Sequence, residues 1–320
     1  VNTIKFAPYN DFVTEQHDVE HASVDTVKVG ETEYRFYNPC NLNVFITNTC
    51  QNACDFCINK GQTDQFRMGD TTYYEDLEKG LEKLSGVKLE ATITGGEPTL
   101  LPRRLVETVR ILTKHGVHER TVSTTGIGLL EKYEGKTVFQ HLIENGYTHN
   151  ISISRMAEDE WENDRIMMGE KYSSRQRNIG NDELRRLATI AKANGVQLRT
   201  STNLLAGHVD SFKKMLQFVD FQYGNGIESC LFRELEGKIQ KMWTPIDWIA
   251  DTVRIIKDFK YVKTVNGMFY DIEQYLYTSQ ATGMEYIVKV YKNHVVDADI
   301  IGSLSFNHGV IRKGFHGEEI

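Results

Sequence analysis

Short apolar runs and amphipathic stripes alternate through most of this chain, and their order predicts its elements. Asn43–Thr47 reads as a buried strand. Thr72 and Glu75 make a capping-box pattern for a helix through Leu77, Leu81 and Leu84, which Gly86 would stop. A strand at Leu89–Thr94, a helix at Pro102–His115 with Gly116 beyond it, and a strand at Thr121–Thr124 continue the alternation. It runs on through a helix at Val138–Glu144, a strand at Asn150–Ser154, a helix at Asp182–Ala193 and a strand at Gln197–Thr202. A helix near Asp210–Val219, a sixth strand at Glu228–Phe232 and a helix capped by Thr244-Pro245 complete it. Asn145-Gly146 and Asn194-Gly195 mark helix stops.

Strand and helix in that order imply parallel βαβ units. The predicted fold class is α/β: a partial (β/α)6 parallel barrel over 41–260, with functional residues at the C-terminal strand ends. Residues 1–40 read as a small β-type extension with a turn at Gly30. Tyr-rich alternation in 261–320, as in Tyr286–Tyr291 and Ile301–Phe306, predicts antiparallel strands that close the site.

Composition narrows the partners. A formal charge of −7 argues against a broad surface for duplex nucleic acid or anionic membrane. The sequence offers no apolar run of bilayer length and no basic-then-apolar leader, so a cytoplasmic protein is expected.

Five cysteines form an odd set, three of them crowded at 50, 54 and 57. In a reducing compartment that crowding points to metal or catalysis rather than to disulfides. Cys50-Gln-Asn-Ala-Cys54-Asp-Phe-Cys57 directly follows a strand. Its three thiolates can ligate three irons of a cubane and leave the fourth iron open. A Cys₃His zinc site is the competing reading; it lacks a near fourth ligand, since the next histidine is His115. Thr94-Gly95-Gly96-Glu97-Pro98 ends the next strand, where paired glycines allow close backbone approach and Glu97 supplies an acceptor.

These two motifs, with Phe56 before the last cysteine, resemble the radical S-adenosylmethionine (SAM) superfamily over about Leu42 to Phe232. The resemblance implies that Cys50, Cys54 and Cys57 hold a [4Fe–4S] cluster whose open iron chelates SAM. It puts Gly95, Gly96 and Glu97 near the methionyl amine and Phe56 near the adenine. One-electron cleavage would give methionine and a 5′-deoxyadenosyl radical, with the electron from a donor such as flavodoxin or ferredoxin. Iron–sulfur potentials reach low enough for this, to about −700 mV.

Later strand ends supply further candidates. Thr124 and Ser154 stand where such enzymes touch SAM or substrate, though a strand-ending hydroxyl also caps turns. Arg199, Asn203 and Leu231 complete the expected cofactor ring; Arg199 would pair with a carboxylate of SAM or substrate, or with a structural acid. Arg155, Arg233 and Glu234 are candidates for orienting substrate, and Cys230 is either an inert core thiol or a hydrogen relay.

Thr-Gly-Gly-Glu-Pro and Phe232-Arg233-Glu234 look most like the branch that contains the molybdenum-cofactor GTP cyclase. That cyclase has a second cysteine cluster, whereas this sequence has no cysteine after Cys230. The expectation is therefore a one-cluster, oxygen-sensitive enzyme acting on a small molecule or short peptide, in a biosynthetic rearrangement, cyclisation or dehydration. The alternatives are a non-catalytic zinc- or iron-binding module and a radical SAM methyltransferase, which would usually need further cysteines.

Overall fold

Most strands of the barrel sheet turn apolar side chains toward the helices and polar ones toward the interior. The computed structural model describes residues 19–21, 23–57, 59, 69–146, 150–173, 178–233, 235, 259–266, 270–280, 282–293, 299–315 and 317–320. A short strand β1 (Val19–His21) precedes a hairpin of β2 (Ser23–Val29) and β3 (Thr32–Phe45) that turns at Gly30. Then come α1 (Asp70–Lys83), β4 (Leu89–Thr94), α2 (Pro102–Lys114) and β5 (Arg120–Thr124). A small hairpin of β6 (Lys132–Tyr133) and β7 (Lys136–Thr137) leads to α3 (Val138–Glu144) and β8 (Asn150–Ser154). Helices α4 (Glu160–Met168) and α5 (Asn181–Ala193), β9 (Gln197–Asn203), α6 (Phe212–Gly224) and β10 (Ser229–Arg233) follow. The last strands are β11 (Phe259–Asn266), β12 (Tyr270–Thr278), β13 (Glu285–Asn293), β14 (Ile300–Asn307) and β15 (Val310–Lys313).

β3, β4, β5, β8, β9 and β10 lie side by side in sequence order, all parallel. This is the six-stranded partial barrel of the α/β class. Outward residues such as Val44, Ile93, Val122, Ile151 and Leu198 pack with Leu105, Val109, Leu184 and Leu187 of the surrounding helices. A second cluster sets Cys230, Phe232, Val288 and Val290 against Met215 and Phe218 of α6.

The C-terminal strands depart from a simple antiparallel add-on. β13 pairs antiparallel with β12 but parallel with β10, and β14 pairs antiparallel with β15 but parallel with β3. Two strands close in sequence thus extend opposite edges of the barrel sheet. Alternation along one strand reveals its faces and says nothing of its neighbour's direction, hence the partial miss.

The capping box at Thr72 does not form. α1 begins at Asp70, with Gly69 as N-cap and Thr72 inside the first turn. α4 was not legible because it buries Asn163 and Asp164 beside Met167 and Met168, so its inward stripe is half polar. Asp159 caps it by accepting from the Glu162 amide at 2.8 Å. The helix expected after Thr244 lies outside the described residues.

Candidate active site

The cysteine loop leaves β3 and is seated on the exit of β4. Ile46 donates its amide to Thr94 O, Gly96 to Thr47 O and Glu97 to Thr49 O, so the two exits continue as a ladder. A Cβ on Gly95 would overlap the Thr47 carbonyl, and one on Gly96 the Thr49 carbonyl. The glycine pair admits the chain's own backbone, which lies under the three cysteines. Gly95 O in turn accepts from Asn59 Nδ2 at 2.7 Å.

Glu97 is fully buried and spends its carboxylate on its own chain. Oε1 accepts from the Thr99 amide (3.1 Å), Thr99 Oγ1 (2.7 Å) and Thr124 Oγ1 (2.5 Å). Oε2 accepts from the Thr125 amide (2.7 Å) and Thr125 Oγ1 (2.8 Å). The side chains of Glu97 and Thr124, both expected near the cofactor, are engaged with each other in this structure. Gln51 Nε2 donates to Thr125 Oγ1 at 2.9 Å, so the cysteine loop is tied into the same network.

Other anchors were missed by sequence reading. Cys54 Sγ donates to Met167 O at 2.9 Å, and the Ala53 amide donates to the same carbonyl. Asn52 Nδ2 donates to Asn178 Oδ1, and Asn178 donates to Asp164. Lys171 Nζ donates to Cys50 O and Asn52 O. All of these lie on or beside α4, the helix that hydrophobic periodicity did not show.

Cys50 is half-buried, Cys54 buried and Cys57 exposed. Burial pushes the Cys50 thiol up to about 11 and Cys54 up to about 12; repulsion from Cys57 adds to both. The three therefore share one electrostatic neighbourhood. Among the described residues no three His, Cys, Asp or Glu side chains converge as for a single metal ion. A zinc ion would need its sulfurs about 2.3 Å from one centre, whereas a cubane takes each thiolate on a different iron. The donor set of three thiols on one loop fits the cluster.

Phe56 is buried with Met156, Met167, Leu205 and Leu235, an apolar shelf beside the cysteines. Below it the barrel interior is polar. In register across β8, β9, β10 and β13 run Ser154, Ser201, Leu231 and Lys289, and one step lower Ser152, Arg199, Ser229 and Ile287. Asn203 and Arg233 pair one step above. Ser154, Arg199, Asn203, Leu231 and Arg233 are thus brought to one face, and Arg199 Nε donates to Ser152 Oγ at 3.3 Å.

Two candidates stand elsewhere. Arg155 is wholly buried and donates to Ala157 O, Ile179 O, Glu158 O and Asn181 Oδ1, so it locks the β8 exit to α5 rather than meeting substrate. Cys230 is buried on the α6 side, opposite Leu231, and accepts from Thr200 Oγ1 at 3.5 Å. That environment suits a core thiol. Glu234 lies outside the described residues. A cleft of about 570 Å³ between Glu131, Glu160 and Arg186 touches none of the cysteines.

No curated protein sequence matches the chain. SuiB of Streptococcus suis, solved bound to S-adenosylmethionine, is 17% identical, with 68% of this chain and 47% of that one covered and a TM-score of 0.49. The protein anSMEcpe, solved in histidine-tagged form with bound AdoMet, is 14% identical, covering 68% and 58%, with a TM-score of 0.45. TsrM of Kitasatospora setae, a radical S-adenosylmethionine methyltransferase solved with tryptophan substrate and a SAM analogue, is 11% identical, covering 61% and 36%, with a TM-score of 0.42. The chain spans between 36% and 58% of the length of these solved proteins. The family model of the radical SAM superfamily matches residues 44–222, more than half of the 320 residues. The chain belongs to the radical SAM superfamily.

Proposed function

We propose that Cys50, Cys54 and Cys57 hold the superfamily's [4Fe–4S] cluster and that the chain is a one-cluster enzyme acting on a small molecule or short peptide. The observation that carries this reading is the seating of the three-thiol loop, by Gly95 and Gly96, on the C-terminal mouth of a barrel with a polar interior. When bound, the cluster supplies the electron that cleaves SAM to methionine and a 5′-deoxyadenosyl radical, which takes a hydrogen atom from substrate. A small reductant protein such as flavodoxin or ferredoxin would provide that electron.

The chain's own part is binding and exclusion of water. Phe56, Met156 and Leu205 form an apolar wall at the mouth. Ser154, Asn203 and Arg233 line the polar side and would orient substrate beneath it. Rearrangement, cyclisation and dehydration all begin with such a hydrogen abstraction and fit this arrangement. Among the described residues no helix is long and apolar enough to cross a membrane.

Anaerobically purified protein should carry about four irons per chain, as one [4Fe–4S] cluster implies, and form deoxyadenosine from SAM on reduction. Alanine at Cys50, Cys54 or Cys57 should abolish both. Full iron in all three variants, or a colourless zinc protein, would overturn the assignment.

A further inference from the structure

Among the described residues, the interior face of β10 and its neighbours gathers three cations, Arg199, Lys289 and Lys263. Lys289 of β13 is in register with Leu231 of β10 and Ser201 of β9, so it points to the barrel interior although it belongs to the C-terminal extension. Gln274 and then Lys263 continue its row across β12 and β11. Arg199 stands on the same face, two strands away and one step lower. With strands about 4.8 Å apart and about 6.8 Å between alternate residues, side chains of this length reach toward one another.

Among the described residues the Lys289 ammonium is acted on by no carboxylate: the charges that reach it are Arg199 and Lys263, both repulsive. Burial, ahead of that repulsion, pulls its pKa down. Glu90 is the acid whose charge acts with Arg199; burial and Glu119 raise its pKa, and Arg199 opposes them. Ser229, between Arg199 and Ile287 in the lower row, is 2% exposed, and its hydroxyl has no hydrogen-bond partner among the described residues. A buried hydroxyl without a partner, diagonal in the sheet to a lysine that no described carboxylate reaches, is a place suited to an acceptor from beyond the described residues.

We propose that the inner face of β9, β10 and β13 binds an anionic group of the substrate, a carboxylate or phosphate, with Lys289 as the principal cation and Arg199 and Ser229 beside it. This rests on the reading of the barrel mouth as an active site and narrows its substrate class. The C-terminal extension thereby contributes a specificity residue.

The test is calorimetric titration of the cluster-loaded protein with inorganic phosphate and, separately, with acetate. Wild type should bind at least one of them, the tighter one naming the group. Lys289→Met should weaken that binding tenfold or more, Lys289→Arg should restore most of it, and Ser229→Ala should weaken it a few-fold. Lys213→Met, on the exposed face of α6, should change nothing. No binding of either anion by wild type, or equal binding by Lys289→Met, would overturn the proposal. So would a Lys289→Met loss of SAM affinity equal to its loss of phosphate affinity, with SAM displacing phosphate: Lys289 would then serve the cofactor's carboxylate. Cys50→Ala separates the two readings, since it should lose iron and keep anion binding. Failure of the catalytic reading shows in deoxyadenosine, failure of the anion site in the titration.

Discussion

The hydroxyl of Thr125 stands 2.8 Å from Oε2 of Glu97 and also accepts from Gln51 in the cysteine loop. One buried carboxylate thus joins the exits of β4 and β5 to the loop that leaves β3. It acts as a structural keystone with donors on both oxygens.

Glu97→Gln sets an amide NH₂ against donors that need an acceptor. Hydrogen bonds to a charged group contribute about 1.5–3 kcal/mol each, and five are involved here. We expect a loss of at least about 2 kcal/mol in chemical unfolding, with weakened iron retention. Wild-type stability together with full iron content would show the network to be dispensable.

Gly96→Ala tests the seating of the loop. Its Cβ would overlap the Thr49 carbonyl, which sits in the ladder that carries the cysteines. Gly116→Ala is the comparison, because that residue has a positive φ but open space around it. Gly116→Ala should cost about 1 kcal/mol from backbone strain and keep its iron. Gly96→Ala should fail to retain iron on gel filtration, and equal iron in the two variants would contradict the packing argument.

Much of this was readable in the sequence because parallel strands buried by helices produce strong apolar runs. Leu89–Thr94, Val138–Glu144 and Asn150–Ser154 fall where the pattern places them. The cysteines and glycines were readable because their chemistry is rare at that spacing. The partners of Glu97 were hidden because Thr99, Thr124 and Thr125 are ordinary residues whose meaning appears only when β4 and β5 lie side by side. Met167 acts through its backbone carbonyl, which no residue type announces. Arg155 misled for the opposite reason: a charged residue after a strand reads as a site, and burial with four acceptors makes it a strut.

Alkali should destabilise the cluster-free protein. Burial raises Cys40, Cys54 and Cys230 to about 12 and Cys50 to about 11. Each folded thiol holds its proton more tightly than an unfolded one, whose pKa is about 8.5. The resulting stability is full below that value and is lost as pH rises toward the folded values, at up to about 1.4 kcal/mol per pH unit for each group. Urea unfolding at pH 8 and pH 10 should show the fall, and Cys230→Ala should make it shallower by one cysteine's share. An identical fall in that variant would remove Cys230 from the account.

Arg155 and Arg233 both stand at the C-terminal ends of barrel strands, in different surroundings. Arg155 has its guanidinium enclosed, so Arg155→Met would leave three backbone carbonyls and the Asn181 side chain without their donor. At about 1–3 kcal/mol for each orphaned buried group, the loss should be at least about 3 kcal/mol. Arg233 is half-buried on the interior face, in register with Asn203. Arg233→Ala should hold its unfolding midpoint near wild type and keep its iron. It should also keep slow, uncoupled SAM cleavage while losing the stimulation that substrate gives. The pair is decided by measuring melting temperature and deoxyadenosine, with and without substrate, on the same preparations. If Arg155→Met were stable and inactive, or Arg233→Ala unstable, the two assignments would be exchanged.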